Sequence, residues 1–211
     1  MLPIISKLKK ERHKIVARAQ DIMIEEIYKI FDKAVLHGGT SIWRCYKGNR
    51  FSEDIDVYIL KDINKINKVF ENLEKKGFII EKKKIGENSL FSKLKFNRET
   101  VRLEAIFKTI KGSLKEYENV DGSLIIIYSL TVEELLDEKV ETYLKRLKVK
   151  DLYDVFFLLR YVKDIENVKK SLNYLIKNFK MPIDEKELKI LILEGIAPSV
   201  KEMLEYIKSK I

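Results

Sequence analysis

Past Thr131 the chain carries no strand pattern at all. Thr131-Val-Glu-Glu134 has the spacing of a capping box, in which a hydroxyl and a carboxylate three residues apart satisfy each other's backbone N–H groups. It opens a helix predicted to run through Arg146, and helical periodicity continues over 150–162, 164–178, 184–194 and 198–209. Pro182 and Pro198 fall at helix starts, where a missing N–H costs little. Before Thr131 the pattern is mixed. Ile15, Val16, Ala19, Ile22, Met23, Ile27 and Ile30 step by three and four, predicting an amphipathic helix over 11–33. A short strand over 34–37 stops at Gly38-Gly39, and a helix over 40–46 follows, with Thr40 or Ser41 placed to cap it. Alternation predicts strands over 54–60, 78–82, 90–96 and 100–107, with Asn97-Arg98-Glu99 turning the last two into a hairpin. A helix is expected over 63–76 and a buried strand over 124–128. The expected class is α+β: a mixed sheet with flanking helices over residues 1–130, then a helical domain over 131–211.

Composition narrows what such a chain can do. Of 211 residues, 45% are hydrophobic and 36% charged, which excludes a disordered chain. Lys and Arg number 42 against 33 Asp and Glu, a formal charge of +9 that favours a polyanionic partner. The single cysteine, Cys45, excludes an internal disulfide and a zinc site built from several thiolates. The longest apolar stretch, Leu124 to Leu130, falls far short of the roughly 20 residues that span a bilayer. Met1 to Ile5 is too short for the apolar core of a signal peptide. A cytoplasmic location with no membrane partner is expected.

The informative segment is 36–58. On a strand, residues two apart project from one face, so Asp54 and Asp56 point together while Ile55 points into the core. Adjacent carboxylates repel and call for a cation to stay ionised together. Hard oxygen ligands suit Mg²⁺, which takes one or two protein carboxylates and completes its shell with water and substrate phosphate; Mn²⁺ is the natural substitute. Upstream, Gly38-Gly39 stands between a strand and a helix start, where backbone N–H groups can approach phosphate oxygens. Alone, a Gly-Gly is a turn and an Asp-x-Asp a solvated strand end. Together on adjacent elements they suggest nucleotidyl transfer.

Gly38-Gly39-Thr40 followed by Arg50-x-Ser52-x-Asp54-x-Asp56 resembles the signature of the polymerase-β-type nucleotidyltransferase superfamily. More narrowly, it is similar to the AbiEii/AbiGii toxin family, including the MenT toxins. A second block carries the likeness onward: Leu135-Leu-x-Glu-Lys139 and Lys150-Asp151-Leu-Tyr153-Asp154 are similar to the family's Glu-Lys helix and its Arg-Asp-x-Tyr-Asp motif, with Lys150 in place of the usual arginine. The resemblance implies a nucleotidyltransferase-type sheet followed by a helical bundle. It implies that Gly38, Gly39, Thr40, Ser41, Arg50 and Ser52 bind nucleotide and that Asp54 and Asp56 hold the metal. It further implies Glu104 as general base, Lys139 as a contact to nucleotide phosphate, and Asp154 as the functional acid of the second block, Asp151 being the alternative or a helix cap. The implied partners are a nucleoside triphosphate, a tRNA 3′ end or other RNA acceptor, and a cognate antitoxin.

Each of these residues also has a plain structural reading. Glu104 could pair with Arg102 or Arg50 on the surface, and Lys139 could be an exposed helix lysine. Trp43, Cys45 and Tyr46 read as core, as do Tyr153, Phe156, Phe157 and Tyr161, while His13 reads as surface and His37 as the edge of the site. Lys145, Arg146, Lys148 and Lys150 form a solvated face or line a groove for nucleic acid. Competing functions are transfer to a protein, as in nucleotidyltransferase-type antitoxins, transfer to a small molecule, and a degenerate nucleotide-binding module without catalysis.

Overall fold

A computed structural model describes residues 3–211. The chain divides into two compact units. One comprises the residues up to Lys47 together with Phe51–Leu130; the other comprises Gly48–Arg50 together with Thr131–Ile211.

The first unit contains, in chain order, α1 (Ile4–Lys7), α2 (Glu11–Ile30), β1 (Val35–His37), α3 (Gly38–Cys45), β2 (Asp54–Ile59), α4 (Ile63–Lys75), β3 (Ile79–Ile85), β4 (Ser89–Phe96), β5 (Glu99–Phe107), β6 (Ser113–Glu118) and β7 (Leu124–Ser129). Among the described residues these strands form one seven-stranded sheet in the order β3-β4-β5-β2-β1-β7-β6. It is mixed: β2 runs parallel to β5 and β1 parallel to β7, while the other neighbours are antiparallel. Alternation explains its two faces. Ile55, Val57 and Ile59 of β2 and Val101, Leu103 and Ala105 of β5 are buried, and Val57, Ile59, Leu103 and Ala105 line a small apolar gap together with Ile27 of α2 and Ile66, Val69 and Phe70 of α4. Their neighbours on the same strands, Asp54, Asp56, Tyr58, Arg102, Glu104 and Ile106, turn to the other face and retain solvent access. The 97–98 turn is tight, with both Asn97 and Arg98 at positive φ, as a two-residue hairpin requires.

Several expectations are corrected in this unit. Strand β6 was not anticipated, because Ser-Leu-Lys-Glu-Tyr-Glu alternates weakly and carries the charges of an edge strand. The 124–128 strand is half-buried rather than buried: Leu124 is 54% and Ile126 61% exposed on its outer face. Helix α3 starts two residues early, with His37 at the N-cap, so Thr40 and Ser41 sit inside the first turn and cap nothing. His13 is not a plain surface residue; its ring stacks on Phe51 at 3.9 Å between centroids.

The second unit is helical: α5 (Val132–Arg146), α6 (Val149–Leu158), α7 (Glu166–Lys177), α8 (Leu188–Leu191) and α9 (Val200–Lys208). The capping box at Thr131 and Glu134 forms, and a second one forms at Ser199 and Glu202. The continuous helix expected over 184–194 is replaced by a 3-10 turn and the single turn α8. Tertiary pairing is the cause: Ile192 is extended and bridges to Arg50, and the Leu193 N–H donates to the Asn49 carbonyl. Tyr153, Phe156 and Phe157 are core residues, but Tyr161, at the frayed end of α6, is 41% exposed.

Candidate functional site

The site begins at the β1–α3 junction. The chain leaves β1 at His37 and enters α3 through Gly38, whose φ of +69° suits glycine alone. Space is a second reason. A Cβ on Gly38 would lie 2.3 Å from Asp56 Oδ2 and 3.0 Å from its Cγ. The Asp56 carboxylate is thus seated against the glycine backbone, at the N-terminal end of α3 with its partial positive charge. Antiparallel register sets this: His37 faces Asp56 across the β1–β2 ladder. His37 also stacks on Tyr58, with ring centroids 4.1 Å apart.

Parallel register brings the third carboxylate in. Asp56 is level with Glu104, and Asp54 is level with Arg102, so all four side chains share the open sheet face. Arg102 forks onto Asp54, Nε to Oδ1 at 2.7 Å and Nη2 to Oδ2 at 2.6 Å. The hydrogen bonds to Asp54 raise the Arg102 guanidinium above its ordinary value against the opposing effect of burial, and the charges of Asp54, Glu104 and Asp56 add to the rise. Beneath the face, Thr40 donates to the Asp54 carbonyl and Gln20 Nε2 donates to the Ser52 carbonyl at 2.9 Å. Ser41 shares a hydrogen with Ser129 at 2.6 Å. Thr40 and Ser41 are fully buried, so what this helix start turns to solvent is backbone at Gly38, not hydroxyl. Among the described residues, no three His, Cys, Asp or Glu side chains are gathered into a ready-made metal cage.

The remaining predicted residues, Arg50, Lys139, Asp151 and Asp154, lie in the helical unit and are brought together there. Arg50 forks onto Asp154 at 2.6 and 2.5 Å. Lys139 Nζ reaches Asp154 at 2.9 Å and Asp151 at 3.4 Å. Arg146 forks onto Asp151 at 2.7 and 2.8 Å. Both aspartates are fully buried, and Arg50 and Lys139 nearly so. Burial alone would raise Asp154, but the charges of Arg50 and Lys139 and their hydrogen bonds outweigh it and hold the carboxyl below its usual range. Lys150 goes the other way: burial, then the nearby charges of Arg50 and Arg146, lower it. Two expectations are corrected: Lys139 is not an exposed helix lysine, and Asp151 is not the cap of α6. Arg102 forks onto Asp54 and Arg50 onto Asp154. Lys148 holds the N-cap position of α6, and Asp184 accepts from the Val149 N–H in its place. Arg102 is the residue that sequence reasoning under-read, since only the β2–β5 register reveals its partner.

Residues 25–205 match the family described as nucleotidyl transferase AbiEii toxin, type IV toxin–antitoxin system. The chain belongs to the AbiEii family. It is accordingly a nucleotidyltransferase of a toxin family, and membership implies a nucleoside triphosphate substrate and an antitoxin partner. Solved structures share the AbiEii chain's fold. JHP933 from Helicobacter pylori superposes with a TM-score of 0.65 at 17% identity, covering 95% of this chain and 90% of that one. MenT4, the nucleotidyltransferase toxin Rv2826c from Mycobacterium tuberculosis H37Rv, gives 0.63 at 15% identity, covering 94% and 82%. No protein of curated function matches the sequence. Among the described residues, no helix of this AbiEii protein is long and apolar enough to cross a membrane.

Proposed function

We propose that this AbiEii protein transfers a nucleoside monophosphate from a nucleoside triphosphate to a hydroxyl of an RNA acceptor in the cytoplasm, with the tRNA 3′ end as the acceptor. The observation that carries the reading is the seat of Asp56 against Gly38, with Asp54 and Glu104 level on the same open face. The residues fit Mg²⁺ or Mn²⁺: Asp54 and Asp56 offer hard oxygen donors, and two carboxylates are what Mg²⁺ takes when water and substrate phosphate complete its shell. Bound there, the ion would supply positive charge where the triphosphate is most negative.

The chain's own groups do the rest. The backbone N–H groups at Gly38 and Gly39 and the dipole of α3 face the triphosphate, and the absence of a Cβ at Gly38 lets it approach Asp56. Thr40, Ser41 and Ser52 serve nucleotide binding by holding that backbone in place, through the Asp54 carbonyl, Ser129 and the Gln20 amide. Glu104 accepts the proton of the attacking hydroxyl. The new bond joins acceptor oxygen to the α-phosphorus, the α–β phosphoanhydride breaks, and diphosphate leaves. Within the helical unit, Asp154 orients Arg50 and Lys139, the proposed phosphate contacts. The surplus of basic residues favours a nucleic-acid acceptor.

Purified protein incubated with Mg²⁺, each labelled nucleoside triphosphate and total tRNA is expected to label the RNA, and Asp56→Ala to reduce labelling by at least about a thousandfold, the scale of a lost transition-state charge contact. Label on protein or on a small molecule would replace the acceptor. Full activity in the Asp56→Ala variant would remove the site from this face.

A further inference from the structure

Three acidic side chains and one guanidinium share the open face of β2 and β5, and the guanidinium is already committed. Arg102 spends its Nε and Nη2 donors on the two oxygens of Asp54, at 2.7 and 2.6 Å. The contact is built into the sheet, because Asp54 and Arg102 are level partners on adjacent parallel strands. It is also displaceable: the Arg102 side chain is 45% exposed and the Asp54 carboxylate 22%, so the arginine can swing into solvent without opening the core. On β4, level with Arg102, Lys93 pairs with Glu81 at 3.3 Å.

We propose that Arg102 is the resident counter-cation of this site, holding Asp54 in the metal-free protein and competing with the divalent ion for it. This rests on the proposed role of Asp54 and Asp56 as metal ligands. A fork of two charge-assisted hydrogen bonds has to be given up before both Asp54 oxygens are available to an ion. Free metal is therefore held weakly. A metal that arrives already bound to a triphosphate brings its own ligands, and with them an anion that the released guanidinium can take. Loading of the ion is thereby coupled to loading of the nucleotide, through a side chain that belongs to neither of the expected motifs.

The test is Mn²⁺ binding to the nucleotide-free protein, read from the electron paramagnetic resonance signal of the free ion. R102Q is expected to bind Mn²⁺ roughly three- to tenfold more tightly than the wild type, the scale of a well-formed but partly exposed ion pair. R102K, which keeps the charge and loses the fork, is expected to show a smaller gain in the same direction. Asp56→Asn serves as the control for the site itself and is expected to abolish the site-specific binding in both backgrounds, the weak one of the wild type and the tighter one of R102Q. Equal or weaker Mn²⁺ affinity in R102Q, with binding still lost in Asp56→Asn, overturns the role of Arg102 and leaves the metal reading standing. Mn²⁺ binding by none of the proteins overturns both.

Discussion

At the scale of single residues, Gly38 and Asp56 define each other. Gly38→Ala meets two penalties at once, a left-handed φ and a Cβ placed 2.3 Å from a carboxylate oxygen. The variant is expected to lose about 1–3 kcal/mol of stability and to displace Asp56, lowering nucleotidyl transfer by at least about tenfold. Thermal unfolding and the RNA-labelling assay read the two effects separately. A variant that unfolds at the wild-type temperature with full transfer would show that the seat is not occupied as described. Cys45 offers an independent check at the same scale. Burial pushes its thiol up to about 12, only partly opposed by hydrogen bonds from the Ser129 and Ser41 hydroxyls, so the reactive thiolate is scarce at neutral pH. Native protein is expected to react with a thiol reagent at least about tenfold more slowly than the urea-unfolded chain, and equal rates in the two states would refute the burial.

Elements show where pattern-reading succeeds and where it stops. That Asp54 and Asp56 share a face follows from the two-residue period of a strand, and the turn at Gly38 from a glycine pair after an apolar run; both are local facts. What Arg102 and Arg50 touch is not local. Arg50 meets a residue 104 positions away, and Arg102 meets one on a strand whose register depends on the whole sheet. Residues 192–194 show the same limit, since the helical periodicity that reaches them yields to a bridge with Arg50 that lies outside any window. The knot of α5 and α6 around Asp154 carries a consequence in acid. A carboxyl whose pKa is lower in the folded chain than in the unfolded one contributes stability fully above the unfolded value, and that contribution fades as pH falls through the folded value. Unfolding free energy is therefore expected to hold from neutral pH down to about pH 4 as far as this group is concerned, and to drop below it. Asp154→Ala, which removes the buried carboxylate that Arg50 and Lys139 share, is expected to cost about 3–5 kcal/mol at pH 7. Chemical denaturation across pH checks both, and a variant within about 1 kcal/mol of wild type would contradict the buried network.

For the molecule as a whole, the order of the units along the chain matters as much as their content. The chain leaves the sheet unit after Lys47, contributes Gly48–Arg50 to the helical unit, returns at Phe51, and departs again at Thr131. Those few residues lie on the path from the helix that begins at Gly38 to the strand that carries Asp54 and Asp56. They bring the helical unit a backbone bridge at Ile192, an Asn49 contact to the Glu194 carbonyl, and the guanidinium that neutralises Asp154. Recombination among relatives at position 130 would hence pair one parent's arginine with the other parent's aspartate. A chimera that trades only the helical segment after Thr131 inherits a lock without its key, and exchange of these helices has to carry Gly48–Arg50, from the first quarter of the chain, along with them.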